Sequence, residues 1–122
     1  MSPLPSSSHF ISLEQAIEMT TRYRNEKFTI TKPAYASKLL NCETFNRKAF
    51  DKILAEADCV AVRIYFSMDD DLAVKIIAVG VNDHDEDILP PEGSIPEDED
   101  EVIVEVGLPC PPQCPPPSPL NP

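Results

Sequence analysis

The stretch "CVAVRIYFSMDDDLAVKIIAVGV", residues 59–81, sets two long apolar runs on either side of a short acidic break. Runs of this length, rich in valine and isoleucine, are strands, and a break this short joins them as a hairpin. The break at Met68–Asp71 contains no glycine, so a loop of three or four residues built on a type I turn is expected, not a primed two-residue turn. Val60, Val62, Ile64 and Phe66 share one face of the first run; Ala61, Arg63, Tyr65 and Ser67 share the other. The second run is apolar on both faces, with Leu72, Val74, Ile76 and Ala78 on one and Ala73, Ile77, Val79 and Val81 on the other. A sheet with one wet face should alternate. The face carrying Ala73, Ile77 and Val79 is therefore expected to have a cover: the first helix, the C-terminal tail or a second copy of the chain.

Helices come first along the chain. Ser12 with Gln15 three residues on reads as a capping box, and Ile11 as its apolar staple. Leu13, Ala16, Ile17 and Thr20 follow at helical spacing, so a helix is expected over about residues 13–25. Phe28 and Ile30 read as a short extended piece, and Pro33 opens a short helix that Asn41 closes after Leu40. In "NRKAFDKILAEAD" Ala49, Phe50, Ile53, Leu54 and Ala57 make one apolar stripe, capped by Thr44 or Asn46. "EVIVEV", residues 101–106, reads as a third strand beyond an acidic loop over 82–100. The expected fold is α+β: two or three helices on a small, mainly antiparallel three-stranded sheet, with a polyproline C-terminal tail. Residues 1–11 read as a disordered leader, 12–107 as the single domain and 108–122 as an extended Pro/Cys-rich tail.

Charge is divided unequally. Through Ser67 there are nine Lys/Arg against seven Asp/Glu; from Met68 onward Lys75 faces fourteen acids. Such a half repels phosphates, and no basic stripe with interleaved aromatics occurs, so nucleic acid is not expected as a partner. The acidic half suits either a basic protein surface or plain solubility. No run of eighteen apolar residues is present, so no membrane span is expected. The opening "MSPLPSSSHF" lacks a basic region followed by an apolar one. A cytoplasmic location with reduced thiols follows as the expectation.

The end of the chain, "LPCPPQCPPPSPLNP", holds eight prolines in fifteen residues. As polyproline II it would separate Cys110 and Cys114 by roughly 12 Å, whereas a disulfide needs about 4.4–6.8 Å. The tail is expected to be an extended arm whose cysteines are free and share no metal. Cys42 and Cys59 read as buried thiols. Pro109, Pro112 and Pro115 share one edge of such an arm, and P-x-x-P matches offer it to an aromatic groove. Packing against its own domain is the competing reading.

Catalytic signals are few. Asp83, Asp85 and Asp87 alternate as in a calcium loop, but Ile88 and Ser94 stand where glycine and glutamate are required. His9 and His84 have no nucleophile near them in sequence, and three glycines, Gly80, Gly93 and Gly107, make no phosphate loop. Arg63 and Tyr65 on one strand face form either a small polar pocket or an arginine held by a carboxylate beside a packed aromatic.

The segments "ADCVAVRIYFSMDDDLAVKIIAVGVNDHDEDIL" and "CPPQCPPPSPLN" together resemble a group of small hypothetical proteins of Bacteroidetes-type bacteria. That resemblance, over residues 12–122, implies a bacterial cytosolic origin and a tail native to the chain, and carries no site residue with it. The function expected is a non-enzymatic protein-interaction module, with self-association as an option and a protein partner or a second copy as its ligand. Arg63, Tyr65, Cys110, Pro112, Cys114 and Pro115 are the residues expected to meet a partner; no metal, cofactor or catalytic residue is assigned. A small ligand-binding or enzymatic domain using the Arg63/Tyr65 face is one alternative, and an acidic inhibitor or immunity-type protein another.

Overall fold

The computed structural model describes residues 9–90, 103 and 107–122. The expected strand over 101–106 and the leader over residues 1–8 lie outside the described residues, apart from Ile103. The order is α1 (Leu13–Ile30), a 3-10 helix (Pro33–Lys38), β1 (Cys42–Thr44), α2 (Arg47–Leu54), β2 (Ala61–Met68), β3 (Val74–Val81), β4 (Asp87–Ile88) and β5 (Leu108–Cys110). The fold is α+β, with an antiparallel sheet ordered β2-β3-β4 and a separate antiparallel pair β1-β5.

The capping box forms at the expected residues. The Ser12 hydroxyl accepts from the Gln15 N–H, and the Gln15 side chain accepts from the Ser12 N–H. The helix then outruns its expected end at residue 25 and takes in Phe28 and Ile30. Nothing between residues 25 and 30 breaks a helix; the stop comes at Thr31 and Lys32, both extended, and extended backbone is what a residue before proline prefers. Asn46 caps α2, its side chain accepting from the Lys48 N–H at 2.8 Å. The Phe45 and Phe50 rings meet edge to face at 5.7 Å, holding β1 to α2.

The hairpin pairs Ala61 with Val81 through Met68 with Val74. Its loop, residues 69–73, is one longer than expected: the Asp69 side chain accepts from the N–H groups of Asp71 and Ala73, and Leu72 takes φ 68. An aspartate-capped turn of this kind does not need glycine. The third strand of this sheet is β4, inside the stretch expected to be an acidic loop. Asn82 makes the turn, its side chain accepting from the N–H groups of His84 and Glu86.

The core sits where α2 meets β3. Ile53 and Ala78 are buried there; Val79 and Val81 are buried on the other face of β3. Gly80 allows the approach, since a Cβ there would lie 3.1 Å from Cys59 Sγ and 3.3 Å from Ile53 Cγ2. The part of β3 that β4 leaves unpaired is closed from the other chain segment. Leu39 bridges Val74 in parallel, the Glu43 carboxylate accepts from the Ile76 N–H at 3.2 Å, and its second oxygen meets Lys75 Nζ at 3.1 Å.

The tail is not an extended arm. Cys110 is fully buried and joined to Cys114 by a disulfide, with their α-carbons 4.5 Å apart. The expectation of free tail thiols assumes an extended run; the chain instead turns back between Pro109 and Cys114, with Cys110–Pro111 and Pro111–Pro112 both cis. The turn is closed by the Gln113 N–H donating to the Pro109 carbonyl at 2.8 Å.

Candidate interaction surface

Arg63 and Tyr65 come together, as expected of neighbours on one face of β2, and both turn to carboxylates. Arg63 reaches across β3 to Asp85 and Asp87, each at 2.5 Å, and the Tyr65 hydroxyl donates to Asp87. The Tyr65 hydroxyl first, and then the Arg63 guanidinium, hold the Asp87 carboxyl below its ordinary value of 3.8. The same carboxylate raises Tyr65 above 10.0, and its hydrogen bond raises Arg63. Arg63 is therefore the strand arginine held by carboxylates. The alternation of acids that resembles a calcium loop spends Asp85 and Asp87 on this arginine. The network lies over part of the face expected to be covered: Arg63 sits beside Val79 and Asp87 beside Val81, two valines that are almost wholly buried.

The tail, expected as one possible cover of that face, lies elsewhere. β5 pairs with β1, the Arg24 guanidinium donates to the Leu120 carbonyl, and Asn121 meets Asn41. Pro112, Cys114 and Pro115 are exposed on the turn, while Cys110 is inside it and unavailable to a partner. Cys42 and Cys59 are free thiols, each half-buried.

The concave surface is on the opposite face of the sheet. A groove of about 370 Å³ opens between α1, β1 and the hairpin, lined by Met19, Tyr23, Phe66, Val74, Ile76 and Leu120 with the Glu43–Lys75 pair at its wall. A second hollow of about 240 Å³, lined by Tyr35, Leu39, Met68, Leu72 and Val74, adjoins it through Val74. The reason is how α1 is held. It has no buried residue. Its tethers are polar: the Tyr23 hydroxyl donates to the Leu40 carbonyl at 2.6 Å, and Lys27 Nζ to the Leu39 carbonyl at 2.9 Å. Those bonds fix the helix at a distance that leaves its apolar side short of the sheet. Phe66 is 83% exposed, and Met19 and Met68 are 58% exposed.

Beside the groove runs the outer edge of β2, which no described strand pairs. The Asp69 N–H donates to the Ala73 carbonyl, so the odd-numbered residues of β2 turn their polar groups toward β3. The backbone groups of Val62, Ile64, Phe66 and Met68 face away from it. Among the described residues no strand lies on that side of β2, and no lysine or proline guards it from Ala61 to Met68. The sequence pattern does not single out Met19, Phe66 or Met68 as contact residues. Phe66 sits in the same alternation as the core residues, and alternation does not separate a filled face from an open one. Among the described residues no helix is long and apolar enough to cross a membrane. No family model matches the chain, no curated protein matches it, and no solved structure matches it.

Proposed function

We propose that this chain is a non-enzymatic protein-interaction module whose contact surface is the groove between α1 and the hairpin together with the open edge of β2. One observation carries the reading: Phe66 stands 83% exposed between an apolar groove and an edge of β2 that no described strand pairs. Exposed apolar surface of this kind is favoured when something covers it. The polar groups nearby are engaged in structure, Glu43 with Lys75 and Arg63 with its two aspartates. The acidic charge of the C-terminal half favours a protein over a nucleic acid as partner.

Changing Phe66→Asp together with Met19→Lys tests this. The wild-type and doubly changed proteins are used side by side as baits in extract from the native cells. A protein held by the first and lost from the second supports the reading; identical captures overturn it. A cytoplasmic location belongs to the same proposal, and a reducing compartment opposes the Cys110–Cys114 bridge. Trapping thiols inside the cell decides the point. Four free thiols fit the cytoplasm, and two place the protein in an oxidising compartment.

A further inference from the structure

Among the described residues the outer edge of β2 is unpaired. Its outward-facing backbone groups belong to Val62, Ile64, Phe66 and Met68, which lie evenly about Tyr65. We propose that two copies of this chain join β2 to β2 antiparallel about a two-fold axis at Tyr65, making one continuous sheet across the pair. The proposal rests on the interaction reading and names its partner as a second copy.

In this register Ile64 stands opposite Phe66 of the second copy and Val62 opposite Met68. Every outward N–H of the four then meets an outward carbonyl, and the same patch serves both sides, as a two-fold interface requires. The side chains of these four residues all lie on the groove face. Phe66 at 83%, Met68 at 58% and Ile64 at 46% exposure are the surface that pairing would cover. Cross-strand pairs of large apolar side chains are the stabilising unit of a sheet.

Charge agrees with the register. The chain carries a net charge of −11, so two copies repel unless the contact avoids the acids. Between Ala61 and Met68 the single charge is Arg63, and the two-fold puts it opposite Ser67 rather than opposite itself. The acidic turn lies just past the paired residues. Asp69 comes opposite Ala61 of the second copy, so the turn meets no acid of its partner there.

Sedimentation equilibrium on the full chain should show a concentration-dependent dimer, and Phe66→Lys should raise its dissociation constant at least tenfold while leaving the circular dichroism spectrum unchanged. The register is read by cross-linking. Tyr65 faces its own copy as a non-hydrogen-bonded pair, with α-carbons about 4.5 Å apart, a spacing a disulfide accepts. The Tyr65→Cys protein should therefore oxidise to a disulfide-linked dimer, whereas Ser67→Cys, displaced along the strand from its own copy, should not. A monomer at all concentrations up to about 1 mM, or equal cross-linking at both positions, overturns the proposal. If the chain is monomeric and the Phe66→Lys protein nonetheless loses a different captured protein, the second copy is ruled out and the interaction reading stands. Monomer with the β2 amides protected from exchange would mean that a segment of the same chain occupies the edge.

Discussion

The helices α1 and α2 pack on the sheet in opposite ways. α2 has eight residues and buries Ile53 completely. α1 has eighteen and buries none. The short helix is held by an apolar contact made close by Gly80; the long one is held by side-chain hydrogen bonds to carbonyls at Leu39, Leu40 and Leu120. Apolar contact draws two elements together until their atoms touch, whereas a hydrogen bond to a long side chain fixes them at that side chain's reach. The groove is what remains under α1. Half of the molecule supplies stability, and the other half supplies surface.

The contrast can be broken from the stable side first. Ile53→Ala should cost about 2–5 kcal/mol, more than truncating any side chain of α1, measured by urea unfolding. A cost as small as that of a surface change would show α1 and α2 to be alike. Replacing Lys75 by methionine should cost about 3 kcal/mol, because it leaves Glu43 charged and without this cation in a place that is only 7% exposed. Changing both Glu43 and Lys75 to apolar residues should recover part of that loss.

The tail bridge comes next. Closing a loop of so few residues is worth about 2 kcal/mol by chain entropy, so Cys114→Ser should lower stability by about that amount. Because β5 pairs with β1 beside the groove, the same variant should also loosen Leu120 at the groove wall. Amide exchange across residues 118–121 would show it. At the small end, Phe66→Ser should change stability by no more than about 0.5 kcal/mol while removing the proposed contact. A large loss of stability would mean that Phe66 belongs to the core.

The acid response sharpens the comparison from the other face of the sheet. Asp87 has a folded value below 3.8. Its contribution is thus present above pH 3.8 and is lost as pH falls through the folded value. Tyr65 is shifted up from 10.0, so its share is present below pH 10.0 and is lost as pH rises through the folded value. Asp87→Asn should flatten the stability curve at both extremes, read as melting temperature against pH. An unchanged acid limb would show that the network over Val79 and Val81 does not contribute.

Where local chemistry decides, the sequence is readable. The Ser12/Gln15 box and the Asn46 cap depend on residues within a few positions, and the position of the hairpin on two apolar runs about an acidic break; the carboxylates that hold Arg63 lie 22 and 24 residues further along the chain. β4 escapes a sequence reading because its turn is made by the Asn82 side chain instead of by glycine. The length of α1 escapes it because Phe28 and Ile30 suit a strand as well as a helix. The tail is illegible for a different reason. A proline-dense run reads as extended, and nothing within the run shows that a distant strand holds it. Pairing of Cys110 with β1, not the local sequence, fixes where this segment lies.

By itself, then, the sequence determined the α+β class, the hairpin and its faces, the caps and the uneven distribution of charge, because alternation, helical spacing and capping are properties of neighbours. Only the tertiary structure decided which apolar face is filled, where the tail lies and which strands the described residues pair. Those outcomes depend on how far apart the elements come to rest, and that distance is set by contacts between residues such as Tyr23 and Leu40, or Arg24 and Leu120, whose meeting no local pattern encodes.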